Sequence, residues 1–510
     1  MSSHNTEAAY ASAEIASIIQ NQQDHFFNGL GTAGAWSLFA GREGGCQWPL
    51  ADGVISATNP NKQFNIAFEF KRPNEGVHGI LTALGQSYAY LEKGYDASVM
   101  CIPCRYSSHN NPGNHVNRII EATAPDIPIW IFTYDNPDLS ATRPFLNKIT
   151  CVRDNALSLC RTIQGTSGSA STASRVTTLW AHVREGMSHP DALFRFCQSV
   201  KIVSSSGENL ITSIFPQQLI DAVRRIDANA DIFQFLSNTA SDGILDMAWR
   251  KLWFSFYFWK DLIPLYGGNN PYTVNDVATR IKIDGTTYQK LFSGRIDSVK
   301  NKLVNKLNEG AMSDNDAWEE YAKKVRSYAH SYREVIDSGL YHIGFLSPNG
   351  DLTELGYRYV DACERSNSAD NNLPMEILRG ALLQNGQFAA LLHYIFKLSE
   401  EKFDNDLYAF TVTNANGTRS FKQQEYLQWL LDYFANTLHI VQQSTLRAGG
   451  TRHPLQAEIS FMNKLGIVRS NDAGRPAYRI GTGLCIDWPQ VETSLQFFNN
   501  LKCFKHYITI

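Results

Sequence analysis

The sequence predicts an α/β domain at the N-terminus followed by mainly helical domains, and three observations carry that prediction. Residues 48–56 and 64–73 read as short apolar strands on either side of the turn-forming run Thr58-Asn59-Pro60-Asn61-Lys62, an antiparallel hairpin. Gly76 to Leu91 then has helical spacing, with Val77, Ile80, Leu81, Leu84, Tyr88 and Leu91 recurring at intervals of three and four. Two further apolar runs, Ala97 to Pro103 and Ile127 to Tyr134, read as core strands, whereas helical periodicity dominates beyond residue 175.

In chain order, Glu7 to Leu30 reads as a first helix with Ala11, Ile15, Ile18, Ile19 and Phe26 on its apolar side. Gly41-Arg42-Glu43-Gly44-Gly45 reads as a loop. In the strand Phe64 to Lys71, alternation places Glu69 and Lys71 on one face and Phe68 and Phe70 on the other. The hairpin brings Asp52 towards Glu69. Two carboxylates with little counter-charge repel each other unless a divalent cation sits between them, and hard oxygen ligands suit Mg²⁺ or Mn²⁺. The competing readings are a surface ion pair of small value at Glu69 and Lys71 and ordinary turn chemistry at Asp52.

An acid on one strand, Glu-x-Lys on the next, and a helix carrying Gln86 and Tyr90 one turn apart form an ordered set. This set resembles the PD-(D/E)xK nuclease superfamily, the restriction-endonuclease-like fold, over roughly the first third of the chain. Ala51 stands where that family often has proline, and Pro49 is the nearest one. The resemblance implies a mixed sheet flanked by helices. It implies that Asp52, Glu69 and the carbonyl of Phe70 hold Mg²⁺ or Mn²⁺, that Lys71 positions the attacking water, and that Gln86 orients Lys71, water or a phosphate. Glu14 and Glu43 are additional acid candidates. The implied activity is a Mg²⁺-dependent DNA endonuclease of the type II-like restriction or phage-defence kind, acting on double-stranded DNA as a homodimer or by transient pairing on DNA. The alternatives are a non-enzymatic winged-helix DNA-binding regulator and a partner-triggered DNase of broad specificity.

At 510 residues the chain exceeds one ordinary core, so two to four domains are expected. A formal charge of −3 supplies no global basic field, so nucleic acid would have to be met by local patches. No stretch has the apolar length to cross a membrane, and the beginning of the chain lacks a charged-then-apolar signal pattern. The nine cysteines are scattered, and Cys101 and Cys104 lack a second pair at finger spacing, which reads as reduced thiols in a cytoplasmic protein. No glycine loop of the Walker type is present, so ATP hydrolysis is not implied.

The expected divisions are a nuclease domain over 1–165, a Gly/Ser/Thr/Ala linker over 166–174, a helical domain over 175–365 and a C-terminal domain over 373–510. A fragment ending near Ser174 is expected to fold alone. In the second domain, a capped helix at Thr273 to Ile281, a turn at Asp284-Gly285 and a basic helix with Lys290, Arg295, Lys300, Lys302 and Lys306 suggest a helix-turn-helix. Ser338 to Leu346 and Leu352 to Val360 around Asn349-Gly350 suggest a hairpin wing, and the whole resembles a winged helix. The C-terminal part resembles one again. It has a helix over Tyr426 to Ile440, a basic loop with Arg452, a helix over Ala457 to Lys464, a strand at Leu465 to Arg469 and a return strand at Ala477 to Ile480. Arg469, Arg475 and Arg479 on that hairpin suit phosphate contact.

Overall fold

This computed structural model describes residues 4–27, 35–43, 48–60, 63–106, 109–154, 176–181, 339–347, 350–441, 455–470 and 484–503, with isolated positions between 190 and 320. Helices α1 (His4–Asn21) and α2 (Gln23–Phe27) precede a meander of β1 (Ser37–Glu43), β2 (Gly53–Thr58) and β3 (Gln63–Phe70). Helix α3 (Gly76–Lys93) leads to β4 (Ala97–Pro103), a small hairpin of β5 (Arg105–Tyr106) and β6 (His109–Asn110), and α4 (Pro112–Thr123). Strands β7 (Ile129–Tyr134), β8 (Thr150–Arg153) and β9 (Val176–Thr177) follow. Seven strands form one sheet in the order β8-β7-β4-β3-β2-β1-β9, parallel at β3–β4 and β4–β7 and antiparallel elsewhere. The expected mixed α/β sheet with flanking helices is therefore present.

The central parallel strands β4 and β7 are buried along their whole length, as their continuous apolar runs require when helices cover both faces. On one face, Ile80, Ala83 and Leu91 of α3 and Val116 and Ile120 of α4 close over Met100, Ile102, Ile129 and Ile131. On the other, Phe26 of α2 packs on Trp130 and Phe132 at ring separations of 5.0 and 6.3 Å. Helix α1 shares that second face: a side chain added at Gly53 would meet Ser12 at 3.5 Å.

Several boundaries differ from the sequence expectation. The first helix breaks after Asn21 instead of running to Leu30. Gly41 to Glu43, read as a loop because of its glycines, belongs to β1, where Gly41 pairs with Val54. The second strand starts at Gly53, and residues 49–52 before it pair with no strand among the described residues. The stretch from 155 to 175, including the predicted linker, lies outside the described residues.

The chain divides into two compact units, one made of Met1–His182 with Arg379–Ile510 and the other of Val183–Leu378. In the first, later segments complete the sheet domain. Ala40 N–H donates to the His439 carbonyl, Ala181 N–H to Gly386 at 2.7 Å, and the Arg42 guanidinium to the Asn385 carbonyl at 2.8 Å. Tyr10 of α1 packs on Tyr394 at 5.4 Å. Trp180 lies against Phe434 at 6.1 Å and donates to Glu458 at 3.1 Å. The contributing helices, after α5 (Glu354–Ser366) and α6 (Asn372–Gln384), are α7 (Phe388–Asn405), α8 (Gln423–Asn436), α9 (Gln456–Lys464) and α10 (Trp488–Cys503). No helix among the described residues is long and apolar enough to cross a membrane.

The described residues do not confirm the winged-helix expectations. Lys282–Ile283 pairs antiparallel with Thr286–Thr287 on either side of Asp284-Gly285, while the helix expected before that turn and most of the one after it lie outside the described residues. The expected wing is one bridge between Leu346 and Leu352. Thr353 accepts from Gly356 N–H at 3.1 Å and starts α5, so the Leu-Thr-x-x-Gly run leads into a helix as expected, while the strand read from Leu352 to Val360 is confined to Leu352. A side chain at Gly356 would stand 2.2 Å from the Phe345 carbonyl oxygen, so only glycine allows that approach. In the C-terminal part, Val468–Ser470 pairs with Leu484–Ile486, and the expected return strand Ala477 to Ile480 lies outside the described residues. The apolar Leu-Cys-Ile run buries its Cys485 and Ile486.

Because the C-terminal segments satisfy backbone and aromatic groups of the sheet domain, a fragment ending at Ser174 is expected to lack a cooperative melt. Joining residues 1–182 to 379–510 through a flexible linker should restore one. Thermal circular dichroism checks this, and a short fragment melting like the full chain would refute it.

Candidate active site

The register of the β2–β3 hairpin pairs Gly53 with Phe68, which sets Asp52, one residue before β2, across from Glu69. Phe70 N–H donates to Asp52 Oδ2 at 2.8 Å. Alternation turns Glu69 and Lys71 to the face covered by α3, where Lys71 Nζ meets Glu69 Oε1 at 2.6 Å. Tyr90 of α3 hydrogen-bonds the other Glu69 oxygen, and its hydroxyl also reaches the Leu50 carbonyl at 2.9 Å. Phe70 on the opposite face stacks on Tyr134 at 5.1 Å, whose hydroxyl donates to the Lys71 carbonyl at 2.8 Å. The backbone of the Glu-x-Lys segment is thus fixed from both sides.

Two residues join the set that local sequence did not mark. His4, at the start of α1, places Nε2 2.9 Å from the Phe70 carbonyl oxygen, 3.4 Å from Glu75 and 3.9 Å from Asp52. Glu75, in the short 3₁₀ turn after β3, accepts from Arg72 N–H at 2.8 Å and lies 3.6 Å from Lys71 Nζ. The only available signal was the Lys71-to-Glu75 spacing of four, because His4 is 66 residues from Phe70 in sequence.

Three carboxyls and two cations therefore share one end of the sheet. Burial, with Asp52 nearby, pushes the Glu69 carboxyl up to about 7 despite Lys71. Burial also raises Asp52, against His4, Phe70 N–H and Lys71. Burial pulls Lys71 down, but Glu69, Asp52 and Glu75 outweigh it and its pKa is raised. For His4 burial is likewise overcome, by Glu75, Asp52 and the Phe70 carbonyl, which lift it to about 9. Burial raises Glu75, but hydrogen bonds from His4 and Arg72 N–H and the Lys71 charge bring it to about 2.

Asp52, Glu69 and the Phe70 carbonyl are the oxygen donors that would hold a divalent cation. Their chemistry fits one: two carboxyls, of which Asp52 raises the pKa of Glu69, stand beside a carbonyl and offer hard oxygen ligands alone. Among the described residues, no three His, Cys, Asp or Glu side chains group as metal ligands, so such a site would rest on two side chains and one carbonyl.

No protein-family model matches the chain, and no curated protein matches it. The site geometry stands alone.

Gln86 reaches Tyr90 at 3.5 Å, not Lys71, and its buried side-chain oxygen has no partner among the described residues. Glu43 is paired with Lys93 inside the fold. Glu14 lies on the other side of the sheet. It acts on Cys101, which pairs with Phe70 and shares its face, so Glu14 is not beside Glu69. Lys302 is an exposed helical position, and Lys306 pairs with Glu320 at 3.4 Å. Arg469 sits on the strand Val468–Ser470 opposite Cys485. Lys290, Arg295, Lys300, Arg452, Arg475 and Arg479 lie outside the described residues.

Glu14 offers a clean pH test. It is 1% exposed, neither carboxyl oxygen has a hydrogen-bond partner among the described residues, and burial pushes it up to about 8 against the nearby Phe145 backbone and Arg143. A carboxyl whose folded pKa is raised stabilises fully below its unfolded value near 4.5, and that stability is lost as pH rises through about 8. The loss is on the order of 4–5 kcal/mol by pH 9. Glu14→Gln, which imitates the protonated acid, should gain melting temperature relative to wild type between pH 5 and pH 9. A difference that stays constant across that range would refute the assignment.

Proposed function

We propose that this chain is a divalent-metal-dependent endonuclease that hydrolyses DNA phosphodiester bonds, with its active site at the Asp52–Glu69–Lys71 end of the sheet. The observation that carries the reading is the convergence of these residues with the Phe70 carbonyl at one strand end, although Asp52 and Glu69 are 17 residues apart. A buried ammonium held by a carboxylate and flanked by a second acid is costly to fold and contributes little to stability when merely structural. It suits a phosphate, which brings negative charge and oxygen acceptors.

Asp52, Glu69 and the Phe70 carbonyl would hold Mg²⁺ or Mn²⁺. When bound, the cation neutralises phosphate charge and lowers the pKa of a water ligand. Lys71, fixed by Glu69 and Glu75, aims its ammonium protons at the attacking water and at the charge growing on the phosphate oxygens. Tyr90 holds the Glu69 carboxyl in one orientation. His4, cationic at neutral pH, adds a second positive group on the α1 side of the strand end. Double-strand cleavage needs two such sites, so pairing of two copies on duplex DNA belongs to the same proposal, as does a restriction or phage-defence role.

Purified full-length protein on plasmid DNA, with Mg²⁺ or with EDTA, tests the reading: discrete fragments with Mg²⁺ alone are the expected result, and uncut DNA in both refutes it. Asp52→Ala and Glu69→Ala should each lose roughly a hundredfold or more in cleavage while still retarding DNA in a gel. Near-normal cutting by either would displace the site.

Lys71→Ala should be as inactive, whereas Arg72→Ala should stay within about fivefold of wild type, since a part-exposed ion pair is worth little. Arg72 points to the other face, where it pairs with Glu7 at 2.7 Å. Equal loss in both variants, measured on cooperatively melting protein, would count against a special role for Lys71.

A further inference from the structure

We infer that the buried Glu43–Lys93 pair is a positioning device: together with Tyr90 it grips the three residues before Asp52 and so sets the Asp52 carboxylate against Glu69. What Asp52 does once placed rests on the nuclease reading above.

Residues 49–52 lie between β1 and β2 and pair with no strand among the described residues, so their backbone polar groups need other partners. Each of the three residues preceding Asp52 is met from within. Lys93 Nζ donates to the Pro49 carbonyl at 2.7 Å, and the Tyr90 hydroxyl bonds the Leu50 carbonyl at 2.9 Å. Ala51 N–H supports the Glu43 carboxylate. Glu43 and Lys93 pair directly, with side chains only 4% and 3% exposed.

The arrangement joins the two acids of the site through one helix. Tyr90 and Lys93 stand three positions apart on α3 and share a face. Tyr90 touches Glu69 directly and Leu50 two residues before Asp52. Lys93, aimed by Glu43 at the end of β1, takes the preceding carbonyl. Displacement of the 49–51 backbone would carry Asp52 with it and open its hydrogen bond from Phe70 N–H. A pair present for stability alone has no reason to end on this segment, since buried ion pairs are readily replaced by neutral side chains.

The test uses the full chain with Glu43→Gln and Lys93→Met combined, which removes both charges at similar size. Two quantities are measured: residue-resolved hydrogen exchange and Mn²⁺ affinity by calorimetry. The expected result is a retained cooperative melt with Phe70 amide exchange at least tenfold faster, while the Lys71 amide, bonded to the Cys101 carbonyl at 3.0 Å, is unchanged. Mn²⁺ should bind at least tenfold more weakly, and Lys93→Arg, which keeps a cationic donor, should recover much of both losses. If the double variant does not melt cooperatively, Glu43→Asp, which keeps the charge and shortens the reach, takes its place. Unchanged Phe70 exchange in the folded variant, or equal acceleration at Phe70 and Lys71, overturns the inference. Absence of Mn²⁺ binding by wild type would instead remove the nuclease reading, while selective Phe70 acceleration would still establish the positioning of Asp52.

Discussion

The Glu69–Lys71 ion pair, buried where β3 ends, is the constraint around which the surrounding structure is arranged. Removing a carboxylate and an ammonium from water costs several kcal/mol apiece, and their mutual attraction offsets this only when the remaining donors and acceptors are also met. Tyr90 meets one Glu69 oxygen, Glu75 faces Lys71, and His4 offsets the charge of Glu75 and Asp52. Each of these comes from a different element, so α1, α3 and the turn after β3 must all be in place before the pair is tolerable.

The two-sided sheet makes this separation of chemistry possible. Parallel pairing of β3, β4 and β7 forces helices onto both faces, and alternation then assigns Glu69 and Lys71 to the α3 side and Phe70 to the α1 side. Helix α1 shows the consequence. Its first residue, His4, reaches the site past the strand end, whereas Glu14, about 15 Å further along at the helical rise, is sealed beneath the opposite face. Two acidic or basic groups on one helix thus end in unrelated surroundings.

The first unit is also discontinuous, which changes how the C-terminal sequence should be understood. Arg379–Ile510 shares a unit with Met1–His182, and its segments supply partners for Ala40, Arg42, Trp180 and Tyr10. A helix at Gln456–Lys464 is followed by a strand at Val468–Ser470, and the strand paired with it is Leu484–Ile486, 14 residues further along. Basic residues in such a pattern identify a surface only when the pairing is known, and pairing is a long-range property.

Period-two alternation, apolar runs and helix spacing are local, and they sufficed for the mixed α/β character, for β4 at Ala97–Pro103 and for the position of α3. They also sufficed for the proximity of Asp52, Glu69 and Lys71, because a short hairpin register and one residue of alternation determine it. Strand β1 was hidden by its glycine-rich surroundings, since its membership depends on Val54 and its neighbours pairing with it. His4, Glu75 and the Lys93–Glu43 pair came into view only in three dimensions, as did the removal of Glu14 from the site. A charge's worth in a protein is set by what is desolvated beside it, and that neighbour is chosen by packing across the whole chain, not by sequence distance.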